Sequence, residues 1–202
     1  MQTSSCRGII LRVYPYSETS LIVHCLTDAH GLISLLAKGA RRFKSSFAGK
    51  IDLFYLCRLE LILSKRSDLH LLKEIILEKN HPELAHDYSL LCMAVENMRC
   101  VERLIERNTA VPEIFNLVCD YLYYLPRHDD LNFADIVFKL RLLALLGRLP
   151  GFSQLRLEKT KIDLICTALE RNWSDLISLS VPETDLKFLK VFLSRQITEF
   201  RL

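Results

Sequence analysis

The chain has 202 residues, half of them hydrophobic and few of them Gly or Pro, so it encodes an ordered globular protein and not a flexible tail or linker. No apolar run approaches the roughly 20 residues of a transmembrane helix and no signal peptide is visible, so we expect a cytoplasmic protein without membrane contact. The net charge is +3, but residues 1–80 carry 12 Lys/Arg against 7 Asp/Glu, whereas residues 81–202 carry 15 against 17, which indicates a polyanionic partner for the first part.

The first eighty residues follow the pattern of β-strands. Alternation in the fourth segment places Cys57, Leu59 and Leu61 on one face. A short turn that ends in Gly31 joins the second and third segments, which predicts a hairpin. Five strands with one longer connection after the third are typical of a small barrel such as an OB-fold. The predicted strands are Cys6–Tyr14, Leu21–Thr27, Leu32–Ala37, Leu53–Ser64 and Leu69–Leu77.

Past His81-Pro82 the apolar residues recur at three and four positions, which predicts helices. One long helix is expected from Leu84 to Ile105, and a second begins at Pro112 and ends near Pro126. The third is expected over Phe133–Leu146, with Gly147 closing it, and two more over Lys161–Arg171 and Thr184–Leu202. The sequence therefore predicts an α+β protein with two domains, an N-terminal OB-fold β-barrel in residues 1–80 and an all-α helical domain in residues 81–202.

The segment Ala37–Lys50 (AKGARRFKSSFAGK) carries the strongest functional signal. It contains five cations, two glycines and two phenylalanines, and no acidic residue. Glycines let a backbone approach a phosphate chain closely, cations replace its counterions, and aromatic rings stack on bases of any sequence. If all five cations bound phosphates, affinity would fall about a hundredfold for a fourfold rise in salt. The predicted DNA-binding residues are Lys38, Arg41, Arg42, Lys44, Lys50, Phe43 and Phe47.

Two other interpretations of this segment stay open or are excluded. A basic loop is often only a solvated surface, and a single Phe is more often a core residue than a stacking platform. A phosphate-binding P-loop is excluded, because the second glycine that should precede Lys44-Ser45 is missing.

No combination of residues predicts an enzyme, a metal site or a cofactor site. The adjacent carboxylates Asp129 and Asp130 lie where a helix N-cap is expected. Seven scattered cysteines without a CxxC pair indicate neither disulfides nor zinc, so we expect reduced, buried thiols. We therefore expect a protein without catalytic activity.

The N-terminal segment resembles the bacterial RecO family. The resemblance rests on residues 8–12 (GIILR), Ser20–Val23, His30–Leu32 and above all Ala37–Arg42 (AKGARR), in the same order and spacing over about fifty residues. It continues more weakly through Leu59–Leu61 (LEL) and then in the helical half, with Arg141-Leu142-Leu143 and Leu146-Gly147 before Pro150.

This resemblance implies a fold and a function. Members of the family have an N-terminal OB-fold followed by a helical domain, bind single- and double-stranded DNA, and anneal strands coated by single-strand-binding protein (SSB). With the partner RecR, such a protein assists the loading of RecA. The family often carries a four-cysteine zinc element after the Leu-Gly segment, but here no cysteine lies between Gly147 and Cys166, so we predict that the zinc element is absent.

The helical half contains candidate partner-binding cations. Arg99 and Arg103 lie four residues apart among glutamates, which is typical of a salt-bridged exposed face. The resemblance offers a second interpretation, in which they line a groove for the acidic C-terminal tail of SSB, with Arg141 and Arg148 as similar candidates. Two functions therefore stay open, a DNA-annealing mediator and a non-catalytic adaptor that binds RecR and SSB with only weak, nonspecific affinity for DNA.

Overall fold

The structure, a computed structural model, describes residues 2–151 and 158–199. In these ranges strands occupy the first part of the chain and helices the rest. The strands are β1 (Gln2–Pro15), β2 (Leu21–Thr27), β3 (Gly31–Ala37), β4 (Leu56–Leu63) and β5 (Leu69–Lys79). The helices are α1 (Pro82–His86), α2 (Tyr88–Leu104), α3 (Pro112–Tyr124), α4 (Leu131–Leu145), α5 (Lys159–Glu170), α6 (Trp173–Leu176) and α7 (Glu183–Glu199), with a 3₁₀ turn at Leu125–Arg127.

The five strands close into a barrel in the order β1-β2-β3-β5-β4, and β4 pairs with β1 to complete the ring. All pairings are antiparallel except that of β3 with β5, which is parallel. The pairing that closes the ring between β3 and β5 is short and joins Ser34–Leu36 to Leu69–Leu71. The predicted α+β class, an OB-fold barrel followed by helices, is confirmed.

Alternation along the strands builds the barrel core. Cys57, Leu59 and Leu61 of β4 are completely buried, as the sequence pattern predicts, while Arg58 between them is exposed. The facing strands supply other apolar side chains to the same cluster, among them Ile10, Val23, Cys25, Ile33, Leu35 and Leu72. The β4 prediction is too long at its start, because Phe54 has a φ of +63° and residues 53–54 form a turn.

The predicted hairpin between β2 and β3 is present and is held by the buried side chain of Thr27. Its Oγ1 donates to the carbonyl of Gly31 at 2.9 Å and accepts from the N–H of His30 at 3.0 Å. Gly31 itself has a φ of +63°, a conformation that L-residues with a side chain rarely adopt. Beyond it, the N–H of Asn108 donates to the carbonyl of Leu32, so a segment distant in sequence lies along the start of β3.

The prediction of one long helix from Leu84 to Ile105 is wrong, because the chain forms two helices that are separated at Asp87. The Asp87 carboxylate accepts hydrogen bonds from the N–H groups of Ser89 (2.8 Å) and Leu90 (3.1 Å), so it caps the start of α2. Pro112 begins α3 as predicted. Asp130 caps α4 through the N–H groups of Asn132 and Phe133, which confirms its predicted role.

The other helix ends agree with the predictions within a few residues, with two exceptions. The short helix α6 was not predicted. Residues 200–202, the predicted end of the last helix, lie outside the described residues. Gly147 follows α4 with a φ of +65°, the left-handed conformation that ends many helices, as expected.

The core of the helices combines aromatic rings with one polar cluster. Tyr121 and Phe138 are fully buried with ring centroids 4.3 Å apart. Asn97, also fully buried, donates through Nδ2 to Tyr121 Oη at 2.7 Å and to Asp135 Oδ1 at 2.9 Å, and Lys139 pairs with Asp135 at 2.8 Å. These bonds satisfy the amide nitrogen of Asn97, which would otherwise be costly to bury, whereas its Oδ1 is buried without a hydrogen-bond partner.

The chain divides into two compact units, Met1–His86 with Ile105–Cys119, and Asp87–Leu104 with Asp120–Leu202. The barrel and its companion segment 105–119 thus form the first unit, and most of the helices form the second. The predicted sequence domains, 1–80 and 81–202, stay a prediction.

Candidate nucleic-acid interface

The connection from β3 to β4, residues 38–55, contains the basic segment and is folded into a series of tight turns. The N–H of Arg42 donates to the carbonyl of Gly39 and that of Ser45 to the carbonyl of Arg42, with two further bonds of this kind in the next residues. Gly39 and Gly49 both have positive φ, +73° and +70°. The segment, which we call the basic loop (residues 38–50), is therefore a compact structure and not an extended tail.

The cations of the basic loop face solvent. Four of the five predicted DNA-binding cations are exposed, namely Lys38, Arg41, Arg42 and Lys44, and Lys50 is half-buried. No carboxylate lies within the loop to offset their charge. Several like charges on one short surface raise the local concentration of a polyanion and release its counterions on binding.

Arg41 fastens the basic loop to the turn between β1 and β2. Its backbone N–H donates to the carbonyl of Thr19 at 2.9 Å, and its Nη1 donates to the carbonyl of Ser17 at 2.9 Å. The N–H of Gly39 also reaches Ser20 Oγ at 3.4 Å. Arg41 therefore has a structural function in addition to its charge, whereas Lys38, Arg42 and Lys44 are available for a ligand.

The two phenylalanines of the basic loop lie in opposite environments. Phe43 is 97% exposed, so its ring is available for stacking. Phe47 is only 7% exposed and belongs to the apolar cluster of the barrel core. The prediction that Phe47 contacts DNA is therefore corrected, because its ring packs inside the barrel.

This difference predicts that the same substitution costs much more stability at Phe47 than at Phe43. Phe47→Leu should lower the free energy of unfolding by about 1.5 kcal/mol, because it leaves the barrel core underfilled. Phe43→Leu should change stability by less than about 0.5 kcal/mol, since an exposed ring has little packing to lose. Urea unfolding of both variants measures this. Equal losses of stability would show that Phe43 packs against the protein.

Sequence reasoning missed several exposed residues on the same barrel. Tyr14 and Tyr16, at the end of β1 and in the turn after it, are 40% and 58% exposed. Lys65 and Arg66, in the turn between β4 and β5, are also exposed. Alternation along β1 was the available signal for Tyr14, because it places Arg12 and Tyr14 opposite the inward Val13.

The predicted partner-binding arginines differ in their surroundings. Arg99 and Arg103 are exposed on α2, and Arg103 Nε donates to the carbonyl of Arg99 at 3.3 Å. Arg148 is half-buried just after α4. These three stay predictions.

Arg141 has internal partners instead. Its Nε donates to the carbonyl of Ala168 at 2.9 Å, another of its nitrogens bonds the carbonyl of Arg171, and its guanidinium lies 4.7 Å from the Trp173 ring centroid. The structure thus assigns Arg141 to the packing of α4 against α5 and α6. Two of its five N–H donors are used in these bonds, and its prediction as a partner-binding residue stays a prediction.

The thiols are largely consistent with a structural role. Cys6, Cys25, Cys57 and Cys100 are buried, and burial, together with nearby negative charge, raises the pKa of Cys6 and of Cys57 to about 12. Cys92 is exposed, contrary to the expectation of buried thiols throughout. Among the described residues no group of three His, Cys, Asp or Glu could hold a metal ion. Residues 152–157, where the zinc element would begin, lie outside the described part, so its absence stays a prediction.

None of the helices in residues 2–151 and 158–199 is both long enough and apolar enough to cross a membrane.

Two family models match this chain and together cover most of it. The model described as "Recombination protein O N terminal" matches residues 1–80, which contain the barrel and the basic loop. The model described as "Recombination protein O C terminal" matches residues 86–200, more than half of the chain.

Curated proteins that are similar to this chain are named after the same family. The chain is 32% identical to a "DNA repair protein RecO" of Rhodopirellula baltica over 71% of this chain and 53% of the relative. It is 31% identical to that of Desulfosudis oleivorans over 79% of this chain and 62% of the relative, and 26% identical to that of Bacillus subtilis over 73% and 57%. The chain therefore spans between about half and three fifths of the length of these relatives.

Proposed function

Because the chain belongs to the RecO family, we propose that it is a DNA repair and recombination mediator that binds single-stranded DNA and anneals complementary strands. The observation that carries this proposal is the basic loop, a compact turn structure with four exposed cations on a closed five-stranded barrel. Barrels of this kind often bind oligonucleotides through their exposed strands and loops. An exposed cluster of Lys and Arg is the feature that a phosphate chain binds.

Annealing needs charge neutralisation and no sequence readout. Two complementary strands repel each other through their phosphates, while base pairing itself supplies the specificity. A protein that lowers this repulsion accelerates their encounter, and it needs no catalytic group to do so. We therefore propose a non-enzymatic mechanism without cofactor or metal, in which Lys38, Arg42 and Lys44 bind phosphates of one or both strands.

We further propose that the helical unit binds protein partners. The partners implied by the family are RecR and the acidic C-terminal tail of SSB, and RecA is reached indirectly. The exposed pair Arg99 and Arg103 supplies charge complementary to an acidic tail. Such a protein acts in the cytoplasm on DNA of the nucleoid, and double-stranded DNA is a further ligand of the same cations.

The adaptor alternative assigns the function to partner binding alone. In that case the basic loop contributes only weak, nonspecific affinity. The two functions differ in what the isolated protein does to naked and SSB-coated strands.

The experiment that tests the proposal is the annealing of complementary oligonucleotides coated with SSB, followed by fluorescence transfer between the two strands. We expect the protein to accelerate annealing above the rate with SSB alone. The acceleration should weaken steeply with added salt, because each phosphate contact releases counterions. A rate equal to that with SSB alone would contradict annealing and leave the adaptor function, which binding of RecR and of an SSB-tail peptide would then test.

A further inference from the structure

Two large aromatic side chains lie exposed where β1 ends. Tyr14, the last residue but one of β1, is 40% exposed, and Tyr16 is 58% exposed in the connection to β2. Phe43 of the basic loop is exposed as well, whereas Phe47 and Phe54 are buried. An aromatic ring left in water loses the favourable free energy that burial would give it, so neighbouring exposed rings indicate a ligand surface.

Tyr14 is held in position before any ligand binds. Its ring lies edge-on to the His24 ring with centroids 5.3 Å apart, and Arg12 Nη1 donates to Tyr14 Oη at 3.2 Å. The strand register explains the cluster, because Arg12 pairs with His24 and Tyr14 with Ile22 across β1 and β2 on the outer face. A ring that is already oriented loses little conformational freedom when a flat partner stacks on it.

Tyr16 belongs to the turn between β1 and β2, to which the basic loop is hydrogen-bonded. Its N–H donates to the carbonyl of Ser20 at 3.0 Å, which closes the turn. The side chain and backbone of Arg41 bond the carbonyls of Ser17 and Thr19 in that same turn. The guanidinium of Arg41 therefore bonds the same turn that carries Tyr16.

The charges around these rings favour bases over phosphates at the turn itself. The turn carries the exposed carboxylate of Glu18, which repels a phosphate. Cations lie on either side of it, with Arg12 on β1 and the basic loop beyond Arg41. Aromatic rings flanked by cations are the combination with which proteins hold unpaired nucleic-acid strands.

We propose that Tyr14 and Tyr16 stack on unpaired bases of a single strand whose phosphates bind the basic loop. This inference rests on the proposed function and adds a basis for preferring single strands to duplex. In a duplex the faces of the bases are already stacked on one another, so these rings have nothing to bind. The cations by contrast bind phosphates of both forms.

The test compares the affinity for three ligands of equal length: an oligothymidine, an abasic single strand and a duplex. The variant Tyr14→Leu/Tyr16→Leu keeps apolar bulk but removes both rings. We expect its affinity for oligothymidine to fall between about tenfold and a hundredfold, since each stacked base contributes substantially. Its affinity for the abasic strand and for the duplex should match that of the unmodified protein.

Two control variants sharpen the result. Tyr88→Leu removes a tyrosine that is 81% exposed on α2, and it should change none of the three affinities. Tyr16→Phe keeps the ring, so it should bind oligothymidine as the parent does. Unchanged affinity of the double variant, or an equal loss for all three ligands, would overturn the inference while the proposed function stands. Failure of the unmodified protein to bind any strand would overturn both.

Discussion

Reversing the charge of three residues of the basic loop should abolish strand annealing and lower the affinity for single-stranded DNA by on the order of a hundredfold at physiological salt. The variant is Lys38→Glu/Arg42→Glu/Lys44→Glu, which changes exposed side chains without removing core packing. Arg41 is left in place, because it bonds the carbonyls of Ser17 and Thr19 and its loss would disturb the loop.

The salt dependence separates phosphate contacts from other losses of affinity. Each phosphate contact to a single strand contributes about −0.7 to the slope of log affinity against log salt, so the variant should lose roughly 2 from that slope. Fluorescence anisotropy with a labelled oligonucleotide at several salt concentrations gives both the affinity and the slope. The annealing rate of SSB-coated strands then shows whether activity follows binding.

A matched control corrects for net charge. Lys159→Glu/Lys187→Glu/Arg195→Glu reverses three exposed cations of the helical unit, and either triple variant changes the formal net charge from +3 to −3. The control should keep most of the DNA affinity. An equal loss in both variants would mean that total charge or the helical unit carries the binding. A loss below about tenfold in the loop variant would support the adaptor function instead.

Gly31→Ala should lower the free energy of unfolding by about 3 kcal/mol, because Gly31 combines a strained backbone with a close neighbour. Its φ is +63°, which costs a residue with a side chain about 1 kcal/mol or more. A Cβ built there would lie 1.8 Å from the carbonyl oxygen of Thr109. Segment 107–109 would have to move, with loss of the bond from the Asn108 N–H to the Leu32 carbonyl (3.1 Å).

Gly49→Ala isolates the effect of that close neighbour. Gly49 has a similar φ of +70°, but a Cβ there would meet nothing within 4 Å. Gly49→Ala should lower the free energy of unfolding by only about 1 kcal/mol, because only the backbone conformation is unfavourable. Urea unfolding measures both values, and hydrogen exchange at the Asn108 amide measures the displacement. Equal losses of stability in the two variants, with Asn108 still protected, would contradict the packing of Thr109 against Gly31.

Local features of the fold were predictable from sequence because they depend on neighbouring residues only. Alternation identified the buried face of β4, and the short turn before Gly31 identified the hairpin. A carboxylate placed just before an apolar helix identified Asp130 as an N-cap. The same rule applied to Asp87 would have divided the long predicted helix, but the apolar period continues across it and concealed the break.

The candidate site was predictable in charge but not in detail. A segment with five cations and no carboxylate is exposed because burying unpaired charge is too costly. Phe43 and Phe47 are equivalent in sequence pattern, four residues apart in an irregular loop with no period to assign a face. Only the path of that loop in the folded chain decides that Phe47 enters the core and Phe43 does not.

The sequence by itself determined the barrel strands, most helices, the exposure of Lys38, Arg42 and Lys44, and the resemblance to the RecO family. The tertiary structure alone decided that Arg141 bonds the carbonyls of Ala168 and Arg171, and that residues 105–119 group with the barrel. The physical reason is the range of the interactions. Periodicity, turns and caps involve residues within a few positions of each other, whereas packing and hydrogen bonding depend on which distant segments meet.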